Sequence, residues 1–116
     1  MQIKIKFDSF ELKCELEDND TGREIYKVLP LNAPVNVWGE EIYFKIPVHV
    51  KIDSSAKSVV NNGDLGFWPS GDCFCIFFGK QPVSKVNIFG KIIDDLGKLK
   101  EVRENEIVTV TKISVK

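Results

Sequence analysis

The segment that most limits the fold is the apolar run at residues 73–78, Cys-Phe-Cys-Ile-Phe-Phe. No polar residue interrupts it, so a strand built there needs cover on both of its faces. A short aromatic strand containing Phe67 and Trp68 leads into a Pro69-Ser-Gly-Asp72 turn, and Gly79 ends the run. The run is far shorter than the roughly 20 residues of a membrane span. The whole chain has 116 residues, enough for one core and no second one, so residues 1–116 read as a single domain. Val and Ile together number 25, against 10 for Leu, Ala and Met. That β-branched excess favours strands over a helical bundle.

The rest of the chain supplies the covering strands. Ile3, Ile5 and Phe7 alternate with Gln2, Lys4 and Lys6, and Phe10, Leu12, Cys14 and Leu16 alternate with Glu11, Lys13, Glu15 and Glu17. With Asp8-Ser9 between them, the two runs predict a hairpin that buries one face. Thr21-Gly-Arg-Glu24 reads as a capping box, with Thr21 at the N-cap and Glu24 three residues on. Ile25, Val28 and Leu29 form the apolar stripe of a two-turn helix that Pro30 stops. A helix so short is marginal alone and should plug something with that stripe. Residues 35–38 and 42–50 read as a second hairpin or a bent strand pair about Gly39, with Pro47 marking an edge or a bulge. Residues 53–58 are polar and loop-like, and Asn62-Gly-Asp64 is a turn. Val86–Ile92 is a strand, 93–100 a helical turn containing Gly97, and 107–115 a closing strand. About eight short antiparallel strands with one or two small helices predict a mainly β, closed barrel, which leaves no exposed edge.

Charge and cysteine usage exclude several functions. A formal net charge of −1, with basic residues spread along the chain, offers no field for nucleic acid or anionic lipid. The three cysteines, Cys14, Cys73 and Cys75, make no disulfide framework, and a lone Cys-x-Cys with one distant His is a poor zinc site. Ordinary reduced thiols and an alternating, charged N-terminus point to the cytoplasm. No phosphate-cradling or nucleophile-elbow motif is present, and no cofactor is implied. Glu40 and Glu41 point to opposite faces of an extended chain, so they read as solvated turn residues rather than an acid/base pair, with hydrogen bonding of Glu41 to a ligand or a neighbouring loop the alternative. His49, the single histidine, reads as a surface or half-buried structural residue.

The order strand, short helix, hairpin, Gly71-Asp-Cys-Phe-Cys-Ile76 and Val86-Asn-Ile-Phe-Gly-Lys-Ile92 resembles the cyclophilin fold. Trp38-Gly-Glu-Glu-Ile-Tyr-Phe44, Gly63-Asp-Leu-Gly-Phe-Trp-Pro69 and Cys75-Ile-Phe-Phe-Gly79 resemble the small prokaryotic cyclophilin-like family. The resemblance spans essentially the whole chain. It implies that Phe74, Ile76 and Phe78 point into the barrel while Cys73, Cys75 and Phe77 face outward, toward the family's substrate groove. Typical cyclophilins isomerise X-Pro bonds with an Arg, a Phe and a His. Here Cys75 stands at the family's second Phe, Val86 at its His, and the Phe-His-Arg strand has its nearest counterpart in Tyr43-Phe44-Lys45. Lysine is no simple replacement for the planar guanidinium, and Arg23 and Arg103 lie elsewhere in the sequence.

The candidate pocket is therefore Tyr43, Lys45, Trp68, Cys75 and Phe77, with no catalytic set and no metal ligand. An exposed apolar face there would be a ligand floor; the alternative is cover by a loop or a second copy. Phe67 and Trp68 read as a plug at the barrel mouth or as a pocket wall, with the plug preferred, and Trp38 reads as core. Three functions stay open. One is binding of a peptide or small apolar ligand, one a prolyl isomerase with a rearranged site using Lys45 or backbone donors, and one an interaction domain that oligomerises through its aromatic loop.

Overall fold

A computed structural model describes residues 1–113. The predicted N-terminal hairpin forms as β1 (Gln2–Lys6) and β2 (Glu11–Leu16), with Ile3 opposite Cys14 and Ile5 opposite Leu12. All four of these side chains are buried, as the alternation requires. The further strands are β3 (Leu31–Pro34), β4 (Asn36–Val37), β5 (Glu41–Lys45), β6 (Ala56–Lys57), β7 (Asp64–Trp68), β8 (Cys73–Phe77), β9 (Val86–Ile92) and β10 (Ile107–Ile113). The last part of the strand expected over 107–115 lies outside the described residues.

Every pairing among these strands is antiparallel. The sheet runs β3-β10-β1-β2-β9-β7-β8-β5-β4, with β6 a side branch on β9. Only Val35 separates β3 from β4. The two ends of the sheet are thus one bent segment, which closes the sheet into a nearly continuous mainly β barrel. Val35 keeps both of its backbone bonds at the bend, donating to Glu106 O at 2.9 Å and accepting from Asn105 N at 2.8 Å.

The interior holds one main cluster, in which Phe44 and Phe74 stack at 4.7 Å and Phe89 meets Phe74 edge-on at 5.0 Å. Helix α1 (Asp20–Lys27) contributes Ile25 and, just beyond its end, Leu29 to that cluster. Its cap corrects the sequence reading. Asn19, not Thr21, is the N-cap, and its side chain accepts from Gly22 N at 2.8 Å. Thr21 is fully buried because its hydroxyl has another task. It donates to Asp53 Oδ2 at 2.7 Å and accepts from Asn87 Nδ2 at 3.1 Å. Glu24 pairs with Lys27 instead of closing a capping box.

Two other expectations shift. The strand predicted over 42–50 ends at Lys45, because its partner β8 begins at Cys73, directly opposite. Ile46 N then bonds to Asp72 O at 2.9 Å, and Pro47 has no N–H to continue a ladder. The helical turn expected over 93–100 is a 3₁₀ turn at Gly97–Glu101. Within 53–58, read as loop, Ala56 and Lys57 pair with β9 as β6.

Candidate functional site

β8 is buried on both faces, as its composition demands. Phe74 and Ile76 enter the main cluster, and Phe78 packs partly against it. Cys73, Cys75 and Phe77 project to the opposite, outer face. There they form a second apolar cluster with Val60 and Val86, flanked by Tyr43, Trp68 and Ile88. Tyr43 lies opposite Cys75, and Glu41 opposite Phe77, across the β5–β8 ladder. Gly66 lies opposite Cys75 on the other side. A Cβ at Gly66 would stand 2.8 Å from Val86 Cγ2 and 3.0 Å from Phe77 Cε2, so the missing side chain makes room for the floor of the site.

Over this floor lies a cavity of about 150 Å³. Tyr43, Cys75, Phe77 and Val86 line its base, Trp38 and Trp68 its sides. The segment between β8 and β9 forms the remaining wall through Pro82, Val83 and Ser84. Side-chain bonds hold that segment in place. Gln81 bonds the backbone of Val60 twice, accepting from its N–H at 2.7 Å and donating to its carbonyl at 3.0 Å. The Trp68 indole N–H donates to Ser84 Oγ at 2.9 Å. Lys80 Nζ sits 3.9 Å from the centre of the Trp38 ring. A loop therefore borders the outer face of β8 without filling it.

Four of the five candidate residues, Tyr43, Trp68, Cys75 and Phe77, meet at this cavity. Lys45 does not. It shares a face of β5 with Tyr43 but lies one repeat further along, opposite Cys73, where it is exposed. Trp68 is a wall and not a plug. Consecutive strand residues face opposite ways, so Phe67 fills the main core while Trp68 stands outside. Trp38, read as core, is 45 % exposed, because it precedes the tight turn that Gly39 makes at φ +60°. His49 is exposed, bonds Asp72 at 2.8 Å through Nδ1, and does not line the cavity.

Glu41 is the residue that the sequence reading misjudged most. It is only 6 % exposed and lines the cavity. Its Oε1 is buried with no hydrogen-bond partner among the described residues. Trp38 and Glu41 exchange both backbone bonds across the Gly39-Glu40 turn, which makes Glu41 the first residue of β5 and aims it to the same face as Tyr43. Burial raises its pKa, against the opposing pull of the Cys75 thiol and the Lys80 charge. The signal for Glu41 was its spacing of two from Tyr43, which places both on one face.

The thiols are poor nucleophiles. Burial pushes Cys14 up to about 12, and burial together with the neighbouring Glu41 charge raises Cys75 further. Burial also raises Cys73. All three are free and buried. In the native protein at pH 8 they should react with Ellman's reagent far more slowly than in denaturant, where all three should react within the mixing period. A native thiol that reacts as fast as free cysteine would contradict this packing.

A nearly closed antiparallel barrel with an apolar hollow against the outer face of one strand is a cyclophilin-type architecture. The model of the cyclophilin-like family matches residues 1–111, and the chain belongs to that family. It is similar over its full length to the hypothetical protein AF2241 from Archaeoglobus fulgidus, known from a solution structure. Identity is 37 % over 97 % of this chain and 95 % of that one, with a TM-score of 0.84. It is also similar in fold to McbB, solved in complex with tryptophan, at 16 % identity and a TM-score of 0.75. That match covers 98 % of this chain and 46 % of McbB. No curated protein matches the chain. No helix among the described residues is long and apolar enough to cross a membrane.

Proposed function

We propose that the barrel binds a small, ring-bearing, mostly apolar ligand in the cavity over Cys75 and Phe77. The observation that carries this reading is the composition of the walls. Two tryptophans, a tyrosine and a phenylalanine surround about 150 Å³ of space with a single charged group, Glu41, at its edge. A site of this kind, apolar with few convergent polar groups, is the usual form of a small-molecule pocket. An apolar cavity of roughly this volume holds a benzene-sized ring. The prolyl-isomerase reading gains no support from the geometry. Arg23 is held by Asp18 and Asp20 at 2.6 and 2.7 Å, and neither Arg103 nor Lys45 lines the cavity.

The chain has two tryptophans, both beside the cavity, so their indole N–H resonances report on it directly. Titration of the ¹⁵N-labelled protein with indole should shift both resonances and saturate at millimolar concentration or below. Trp68→Ala should weaken that binding about tenfold, the scale set by losing one aromatic wall. Indole shifts that never saturate, or that survive Trp68→Ala unchanged, would dismiss the reading. Tryptophan is a natural second probe, given the ligand of McbB; the likeness to McbB shows the fold alone.

A further inference from the structure

We propose that the ligand of this cavity is a small organic cation, an ammonium group carried on a ring, and that Glu41 is the residue that selects it. The inference rests on the binding reading above and names the class of ligand. Among the side chains that line the cavity one is acidic and none is basic. Glu41 is buried, and among the described residues it makes no ion pair. The Cys75 thiol beside Glu41 is a weak donor and is turned to Cys73 O at 3.7 Å, so the buried Oε1 keeps an unmet demand for a strong donor. A ligand N–H⁺ meets it with a charge-assisted bond, stronger than a neutral donor provides. The walls favour the same charge. The faces of Trp38, Tyr43 and Trp68 carry the negative side of the aromatic quadrupole, which attracts ammonium groups. The molecule already uses this attraction at the rim, where the Lys80 ammonium lies over Trp38. An anionic ligand would face Glu41 and those rings, and the Lys80 ammonium that could offset them stands at the rim over Trp38, outside the cavity lining.

Three probes of nearly one shape separate the possibilities: benzylammonium, benzyl alcohol and benzoate, each titrated at pH 7 and followed by the two indole N–H resonances. Benzylammonium should bind about tenfold tighter than benzyl alcohol, and benzoate weakest of all. Glu41→Gln should bring benzylammonium to within about twofold of benzyl alcohol, with the two indole resonances of the free variant confirming that it is folded. Equal affinity of the alcohol and the cation would overturn the cation proposal while leaving the ring-binding reading in place. Tighter binding of benzoate would overturn it as well, and binding of none of the three would remove both. Retention of the full preference in Glu41→Gln would show that Glu41 is not the selecting residue.

Discussion

Phe74→Ala should lower the unfolding free energy by about 3–5 kcal/mol, the range for truncating a fully buried phenylalanine. Phe74 has no exposed surface and lies at the centre of the aromatic stack, with Phe44 on one side and Phe89 on the other. Those three rings come from β5, β8 and β9, so the void would open between strands that lie apart in sequence. The walls belong to a closed sheet and relax little, which keeps the cost near the top of the range. Urea unfolding followed by tryptophan fluorescence measures it. Phe74→Leu, which keeps most of the volume, should lose only about 1–2 kcal/mol and stay folded if the alanine variant does not. A loss below about 1 kcal/mol for Phe74→Ala would mean that the stack is not the centre of the core.

The second large effect belongs to a polar residue. Asn87 is fully buried on β9, and its side chain makes three hydrogen bonds. It accepts from Asp53 N at 3.0 Å and donates to Lys51 O at 2.8 Å and to Thr21 Oγ1 at 3.1 Å. One amide thereby fixes the segment after β5 and the start of α1 to the barrel wall. Asn87→Ala leaves the part-buried Asp53 N–H and Lys51 carbonyl without their partner and opens a void at a fully buried position, and it should cost about 1–3 kcal/mol. Thr21→Val removes only the hydroxyl and should cost about 1–2 kcal/mol, since Asp53 keeps its bonds from Ser55. The two losses should fall short of adding in the double variant, because the groups share one network. Hydrogen exchange at the Asp53 amide gives a local check, with faster exchange expected in Asn87→Ala. A loss under about 0.5 kcal/mol for that variant would contradict the network.

These two residues also show what the sequence does and does not carry. The run containing Phe74 announces itself, because six apolar residues admit only a strand covered on both faces, and the alternation in β1 and β2 sets their pairing. Such signals are local and repeat with the strand period. Asn87 has no such signal. Its partners lie 34, 36 and 66 residues away, and nothing around Asn87 in the chain indicates that a turn and a helix will converge on it. The helix start was blurred for a related reason. Asn19 and Thr21 are both good caps, and the choice fell to the long-range bond that Thr21 makes with Asp53. In the site, Cys75 and Phe77 are legible because alternation and family resemblance agree on their face, Tyr43 because it lies in the strand matched to the family's Phe-His-Arg, and Trp68 only as an aromatic bounded by Gly66 and Pro69 that reads as readily as a plug. Lys45 satisfies the same alternation and misses the cavity because it lies one strand repeat beyond Tyr43, opposite Cys73. For Glu41 the solvated reading outweighs ligand bonding because adjacent acids after a glycine suggest solvent, and only the β5–β8 register shows which of the two is turned inward.

If the outer face of β8 binds a ring, and is not merely a dent beside a loop, occupancy of the cavity is the decisive observation. A crystal structure of the protein soaked with indole tests it most directly. The ring should lie over Cys75 and Phe77, between Trp38 and Trp68, with its N–H toward Glu41. A cavity that stays empty at saturating indole, or one filled by movement of Pro82 and Val83 onto Phe77, would contradict it.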